Sequence, residues 1–283
     1  MEYFLDMEKE FSLPEKAKYV LIPVPYDGTS TFIKGCDKGP EAIIEASDSI
    51  ELYDPQFGIE AYKSGIHTDR FHFDLTSPEA MVQSVFDRVN YFLSKKKLVG
   101  LLGGEHSVSI GAIKAISKKY TNLSVLQIDA HADLRDEYQG SVYNHACVMR
   151  RAQEYAKVIQ VGIRNVCIEE KVNIIEKNIF YAHNIYNNSN WMKGALDQLT
   201  ENVYLTIDLD GFDPGIMPAT GTPLPGGLSW YMVIDFIKLL CQSKKIVGFD
   251  VVELCPQTGQ HASNVLAATL VYKIITLLES SNH

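Results

Sequence analysis

Residues 124–135 read SVLQIDAHADLR, an apolar run with strand character followed by three ionisable side chains. Asp129, His131 and Asp133 stand two residues apart, the spacing that places side chains on one face of a strand. Carboxylates and an imidazole crowded at the end of a buried strand are destabilising unless a partner neutralises them. The stretch therefore predicts a functional site at the end of a strand.

Apolar, strand-like runs alternate with helical patterns along the rest of the chain. The strand-like runs cover residues 17–25, 98–104, 124–129, 157–163, 202–210 and 245–254. Helical patterns occupy 39–47, 78–94 and 107–120. Continuous apolar strands that alternate with helices are typical of parallel sheets covered on both faces. We predict a three-layer α/β/α fold with a mostly parallel central sheet, formed by a single domain over 1–283. An eight-fold barrel is the alternative.

Composition narrows the classes of partner. The chain has 283 residues, 46% of them apolar, and a formal net charge of −9, which disfavours nucleic acid and anionic membranes as partners. The acidic first residues do not resemble a secretory signal, and no apolar run reaches the roughly 20 residues of a membrane span. The run SNVLAATLVYKIITLLES comes closest, but Lys273 interrupts it and its length suits a core helix. Five scattered cysteines without a CxxC pair are typical of reduced thiols. We therefore expect a cytoplasmic protein.

Polar motifs close four of the predicted strands. GGEH follows the strand at 98–104, DAHAD includes the end of 124–129, DLDGFDP closes 202–210, and Glu253 lies at the end of 245–254. In parallel α/β folds, functional sites assemble at the carboxyl ends of strands. The four motifs are therefore expected to meet on one rim of the sheet.

Six side chains at these strand ends are of types that bind metals. They are His106, Asp129, His131, Asp133, Asp208 and Asp210. Each alone would be an ordinary loop or capping residue, but together the four aspartates carry four negative charges that two divalent cations would cancel. Two imidazoles with carboxylate oxygens suit Mn²⁺, two ions per chain, with Ni²⁺, Co²⁺ or Zn²⁺ as alternatives.

The reach of the aspartate side chains adds a geometric prediction. In a straight strand the Cα atoms of Asp129 and Asp133 would be about 13 Å apart. Metal–oxygen bonds of roughly 2 Å cannot bridge that gap from two short side chains. The chain is therefore expected to leave the strand near Asp129 and to bend through 130–133.

Several blocks of the sequence resemble the signature blocks of the ureohydrolases, the arginase and agmatinase family. They are GGEHSVSIG, DAHADLR, NHACVMRR, TIDLDGFDP, ATGTPLPGG and GFDVVELCP, in the family's order over roughly 100 to 256. Residues 22–44, IPVPYDGTSTFIKGCDKGPEAI, resemble its N-terminal block, and the chain is most similar to compact bacterial and archaeal agmatinases. The resemblance implies an α/β/α fold, a binuclear manganese site, hydrolysis of a small cationic guanidino substrate to urea and an amine, and a homotrimer or homohexamer.

The resemblance also implies roles for individual residues. One ion would be held by His106, Asp129, Asp133 and Asp208, and the other by Asp129, His131, Asp208 and Asp210. His145 would shuttle protons and contact the substrate, Asp133 would relay a proton to the leaving amine, and Glu253 would pair with the guanidinium group.

The segment LRDEYQGSVYN at 134–144 replaces the stretch that reads an α-amino acid head in arginases. Asp136 and Glu137 would disfavour a carboxylate and suit a second cation, so Asp136 is predicted to bind the substrate. The predicted substrate is agmatine, and its products would be urea and putrescine. The alternatives are a guanidinobutyrase, an arginase, a single-zinc amide deacetylase of similar architecture, and a non-catalytic binding protein.

Overall fold

The structure is a computed structural model and describes residues 3–281. Its strands are β1 (Tyr19–Val24), β2 (Ile66–Thr68), β3 (Leu98–Gly103), β4 (Leu123–Ile128), β5 (Lys157–Ile163), β6 (Ile179–Tyr181), β7 (Asn202–Asp208) and β8 (Lys245–Val252). Over this part of the chain they form one parallel sheet in the order β2-β1-β3-β8-β7-β4-β5-β6.

Helices cover both faces of this sheet. They are α1 (Lys9–Ser12), α2 (Gly39–Ser47), α3 (Pro78–Ser94), α4 (Val108–Lys119), α5 (Val148–Ala152), α6 (Ala182–Tyr186), α7 (Trp191–Gln198), α8 (Trp230–Ser243) and α9 (His261–Ser280). Residues of α2, α7, α8 and α9 join one hydrophobic cluster, and residues of α3, α4 and α5 join the other. The predicted three-layer α/β/α fold is therefore confirmed.

The central strands are apolar on both faces because both faces are covered. Along β4, Leu126 and Ile128 belong to one hydrophobic cluster, while Leu123 and Val125 belong to the other. This alternation is the two-residue period of a strand, and burial on both sides explains the unbroken apolar run in the sequence.

The barrel alternative is excluded by the edges of the sheet. Within residues 3–281, β2 pairs only with β1 and β6 pairs only with β5, so the sheet stays open. These two edge strands have three residues each and escaped the sequence analysis. That the chain is one domain over 1–283 stays a prediction, and residues 1, 2, 282 and 283 lie outside the described part.

Helix α9 is long and apolar enough to cross a membrane by length and composition alone. It contains buried residues such as Leu270 and Ile274, belongs to the same hydrophobic cluster as α2 and α8, and 56% of its most apolar stretch is buried inside the protein. These are the properties of a core helix.

The four strands with polar ends are neighbours at the centre of the sheet, in the order β3, β8, β7, β4. Their ends are nearly level, because Asp208 pairs with Val252 and Ile207 pairs with Ile128. Side chains that follow these strands therefore emerge side by side at one rim.

Gly104 allows the rim to close against the loop after β1. Its N–H donates to the carbonyl of Val24 at 2.9 Å, and a methyl group at its Cα would overlap the carbonyl oxygen of Tyr26. We predict that Gly104→Ala lowers the free energy of unfolding by about 2–3 kcal/mol, because packed backbone would have to move. Denaturant unfolding followed by circular dichroism measures the change.

Gly140→Ala is the control for this prediction. Gly140 has a φ of +82° and no atoms within 4 Å of an added methyl, so only left-handed backbone opposes the change. A cost of about 1 kcal/mol is expected there. Equal losses for the two variants would contradict the packing explanation.

Candidate metal and substrate site

The chain bends after β4, as the reach of the aspartate side chains requires. Regular strand pairing ends at Ile128, and Asp133 has a φ of +53°, in the left-handed region. The bend brings the carboxylate oxygens of Asp129 and Asp133 to 3.2 and 3.1 Å from Nδ1 of His106. The predicted bend through 130–133 is confirmed.

The first group of candidate ligands surrounds His106 at the end of β3. Its Nδ1 lies within 3.3 Å of one oxygen each from Asp129, Asp133 and Asp208. All four side chains are buried. They come from the ends of β3, β4 and β7, so the sheet holds this group together.

Hydrogen bonds behind His106 fix which ring nitrogen carries the proton. Thr206 donates its hydroxyl proton to Asp250 at 2.6 Å, and Tyr204 donates to the second oxygen of Asp250, also at 2.6 Å. Thr206 Oγ1 lies 2.8 Å from Nε2 of His106, so it must accept a proton from that nitrogen. The lone pair of His106 is then on Nδ1.

The surroundings of Nδ1 of His106 indicate whether a cation fits the site. The buried Nδ1 of His106 has no hydrogen-bond partner, although three carboxylate oxygens surround it. Without a cation, the three carboxylates raise the pKa of His106 despite its burial, so that Nδ1 would carry a second proton, whereas a divalent cation in its place would bind all four atoms. The first group therefore fits a metal ion.

A second group of candidate ligands lies beside the first and shares Asp129. Nδ1 of His131 is 3.0 Å from Asp210 and 3.7 Å from Asp129. The ligand atoms of these three residues all lie within 4.8 Å of one another. Asp210 is also fixed by Thr222, whose hydroxyl donates to it at 3.0 Å, and by the N–H of Ala130 at 3.1 Å.

The charges of the two groups also fit two divalent cations. Burial, and then the charge of Asp129, raises the pKa of Asp133 to about 7, and burial followed by the charges of Asp210 and Asp129 raises the pKa of Asp208. Cations would relieve this repulsion and keep the carboxylates ionised. The six predicted ligand residues are thus brought together as two groups, with Asp129 common to both.

Glu253 is held rigidly at the end of β8. It has a φ of +66°, its N–H donates to Gly104, and its carboxylate accepts from the N–H of His106 at 2.7 Å and from the thiol of Cys36 at 3.2 Å. Burial, followed by the charge of Glu105, raises the pKa of Glu253 to about 8. A cation such as a guanidinium would favour its ionised form.

His145 begins a short 3-10 helix (His145–Cys147) and lines the same cavity. Its Nδ1 lies 3.2 Å from the hydroxyl of Thr29. Burial lowers the pKa of His145 to about 4, so the imidazole is neutral near pH 7. A neutral imidazole can accept a proton through one nitrogen while it donates through the other.

One cavity of about 400 Å³ joins these groups, which is a typical volume for a small-molecule site. His106, His131, Asp133, Asp208, His145 and Glu253 contribute to its wall. Residues 30–33 and Tyr138 line it as well. A small substrate in this cavity would reach both ligand groups and Glu253.

The structure does not bring Asp136 to this cavity. Its carboxylate pairs with Nε of Arg150 at 2.7 Å and with Arg151 at 3.2 Å, and it is absent from the cavity wall. These two arginines of α5 pair with the charge that the sequence analysis assigned to a substrate contact. The predicted substrate contact of Asp136 is therefore not supported by the geometry.

The sequence analysis missed the residues that support the site from behind. Thr206 and Asp250 are polar residues inside apolar strands, and that contrast is a signal that could have identified them. Glu105 stands beside His106 in GGEH, and Thr29 lies in the N-terminal block, yet neither spacing reveals a partner. Their roles depend on contacts between distant segments.

Comparison with known proteins agrees with this geometry. A profile of the arginase family matches residues 17–276. The chain is 41% identical to an N(1)-aminopropylagmatine ureohydrolase from Synechocystis sp., over 96% of this chain and 92% of the relative. It is 33% identical to an agmatinase from Pyrococcus horikoshii, over 95% of each chain.

A solved structure shows the same architecture. The agmatine ureohydrolase of Thermoplasma volcanium superposes with a TM-score of 0.88 at 29% identity, over 100% of this chain and 96% of the other. The open parallel sheet and its helical layers therefore recur in a solved structure.

The contact between Thr206 and His106 generates a prediction about metal binding. Thr206→Val keeps the shape of the side chain but removes the acceptor that fixes the histidine proton on Nε2. We expect the metal ion at the first group to bind about 10–100-fold more weakly. Losses of this size are usual when the hydrogen-bond partner of a metal-binding histidine is removed. Mn²⁺ titration followed by electron paramagnetic resonance measures both affinities.

Thr276→Val is the matched control, because Thr276 is equally buried and its hydroxyl donates only to the carbonyl of Tyr272 within α9. It should leave both affinities unchanged. Equal metal binding by Thr206→Val and the parent protein would show that the Thr206 contact does not orient a ligand.

Proposed function

Since this chain belongs to the arginase family, we propose that it hydrolyses the guanidino group of an agmatine-type amine to urea and the corresponding amine. It is a hydrolase that acts on non-peptide C–N bonds of linear amidines. The observation that carries the proposal is that both candidate ligand groups and Glu253 meet at one cavity.

His106, Asp129, Asp133 and Asp208 would hold one divalent cation, and Asp129, His131, Asp208 and Asp210 the other. When bound, such a pair of ions supplies a water nucleophile of lowered pKa near neutral pH. The oxygen and nitrogen donors fit Mn²⁺, and Ni²⁺, Co²⁺ and Zn²⁺ remain alternatives.

Glu253 would bind and orient the guanidinium group. Its carboxylate is fixed by Cys36 and by the N–H of His106, so it cannot turn away from the cavity. A guanidinium presents parallel N–H donors that match a carboxylate, and this pairing directs the central carbon towards the metal ligands.

Protons would be handled by Asp133 and His145. Asp133 lies among the ligands, and its pKa of about 7 in the absence of a cation reflects burial beside Asp129. It would pass a proton to the leaving amine, while His145, on the cavity wall, would exchange protons with solvent.

The charge on the cavity wall favours a cationic tail over an anionic one. Asp133, Asp208 and Glu253 line it with Glu170, whereas Arg135 is its one arginine or lysine within the described residues. Glu170 accepts hydrogen bonds from the N–H groups of Leu134 and Cys167. Because bound cations would cancel the charges of the aspartates, the preference for a cationic tail rests on Glu170 and on the substrates named for the relatives.

Two amines satisfy these conditions. Agmatine, which would yield urea and putrescine, is the substrate predicted from the sequence. N(1)-aminopropylagmatine is the second candidate, and it is favoured by the higher identity of the Synechocystis relative over the Pyrococcus agmatinase. The homotrimeric or homohexameric assembly and the cytoplasmic location stay predictions.

Urea release from a panel of guanidino compounds tests the proposed function. With Mn²⁺-loaded protein, we expect kcat/KM for one or both amines to exceed that for arginine or 4-guanidinobutyrate by about 100-fold or more, because Glu170 would attract a cationic tail and repel a carboxylate. We expect N(1)-aminopropylagmatine to be the better of the two amines.

Comparable rates on arginine or 4-guanidinobutyrate would overturn the substrate class. The number of metal ions per chain, measured on the same sample, separates the remaining alternatives. One tightly bound zinc ion without urea release would favour an amide deacetylase, and two bound ions with no turnover of any compound would favour a binding protein.

Glu253→Gln tests the guanidinium contact. The amide keeps the shape of the side chain but loses its charge, so kcat/KM for the preferred amine should fall about 10–100-fold, in line with a lost charged hydrogen bond. Both metal ions should remain bound, since Glu253 belongs to neither ligand group. Steady-state kinetics and elemental analysis measure the two quantities.

Glu169→Gln is the control, because Glu169 is largely exposed and absent from the cavity wall. It should change kcat/KM less than about twofold, as surface substitutions usually do. Unchanged kinetics in Glu253→Gln would remove Glu253 from the proposed substrate site.

A further inference from the structure

Behind His145 lies a buried network that joins three segments of the chain. Glu105, at the end of β3, is fully buried, and its Oε2 accepts the hydroxyl proton of Thr29 at 2.5 Å. Its other oxygen accepts from Ser107 at 2.6 Å. Thr29, on the loop after β1, contacts His145 twice, through the backbone N–H at 2.9 Å and through Nδ1 at 3.2 Å.

The number of protons in this network decides the state of the imidazole. Glu105 accepts the hydroxyl protons of both Thr29 and Ser107, as a carboxylate does, so the one hydroxyl proton of Thr29 lies between Thr29 and Glu105. Thr29 can therefore only accept from His145. Nδ1 of His145 also lies 3.5 Å from Oε2 of Glu105, a second acceptor.

Only one neutral tautomer satisfies these contacts. With the proton on Nδ1, His145 donates towards Thr29 and Glu105. With the proton on Nε2, a lone pair would face two oxygen atoms in a buried space, which is repulsive. The contacts thus leave Nε2 as the nitrogen with the lone pair.

We propose that Thr29, oriented by Glu105, is a positioning residue that keeps His145 protonated on Nδ1, with the lone pair of Nε2 available to the cavity. The effect of this positioning on catalysis rests on the proposed function. His145 takes up a proton at Nε2, and the resulting imidazolium donates its Nδ1–H towards the Thr29–Glu105 pair, whose negative charge stabilises it. The proton is then released from Nε2, so that the imidazole returns to its starting state.

The tautomer can be measured directly and independently of turnover. The zinc-loaded full-length protein, which is diamagnetic, is labelled with ¹⁵N-histidine, and long-range ¹H–¹⁵N correlation spectra distinguish Nδ1–H from Nε2–H. The His145 signals are assigned by their loss in His145→Asn. Spectra are recorded in mildly alkaline buffer, so that Glu105 is the carboxylate to which Thr29 and Ser107 donate.

We expect the Nδ1–H pattern in the parent protein and its loss in Thr29→Val. The same variant should lower kcat about 10-fold with less than a threefold change in KM, because the base rather than the binding contact is affected. Thr29→Ser, which keeps the hydroxyl, should restore the pattern and most of the rate. Thr276→Val, a buried control on α9, should show the parent spectrum.

An Nε2–H pattern in the parent protein would overturn the proposal, as would an unchanged Nδ1–H pattern in Thr29→Val. Failure of the proposed function has a different signature. If the protein released no urea from any guanidino compound but showed the expected spectra, the positioning role of Thr29 would stand and only the activity would be wrong. A loss of fold in Thr29→Val would be visible by circular dichroism, and the proposal would then be decided on the parent and Thr29→Ser spectra.

Discussion

Repulsion among buried acidic groups is the constraint on which this structure depends. Asp129, Asp133 and Asp208 each have a carboxylate oxygen close to Nδ1 of His106. Asp210 and Asp129 both lie close to Nδ1 of His131. Such a cluster cannot be buried as four charges without compensation. Protons or bound cations must therefore offset these charges, and the donor atoms of the cluster fit cations.

The sheet resists that repulsion because the ligands belong to its most buried part. Strands β3, β8, β7 and β4 are adjacent at the centre, and each is apolar on both faces. A ligand on such a strand end cannot move without disturbing strand pairing and two hydrophobic clusters. Precise geometry at the site is thus a consequence of burial below it.

The sequence predicted the parts of this arrangement that depend on local pattern. Unbroken apolar runs indicated a parallel sheet covered on both faces, and the spacing of Asp129 and Asp133 required the bend that the φ of +53° at Asp133 provides. Contacts between distant segments were beyond its reach. The ion pairs of Asp136 with Arg150 and Arg151 are one example, because the sequence does not show that these side chains meet. The three-residue edge strands were too short to show a period.

His106 and His145 each contact a threonine that donates to a buried carboxylate, but through different ring nitrogens. Thr206 donates to buried Asp250 and so must accept from Nε2 of His106, which leaves Nδ1 for a cation. Thr29 donates to buried Glu105 and so must accept from Nδ1 of His145, which leaves Nε2 for a proton. A threonine has one hydroxyl proton, and in both pairs the buried carboxylate accepts it. The threonine oxygen can then only accept from the imidazole, and this contact selects one neutral tautomer. A threonine–carboxylate pair can therefore orient either a metal ligand or a proton acceptor. Which of the two results depends on the ring nitrogen that the threonine contacts.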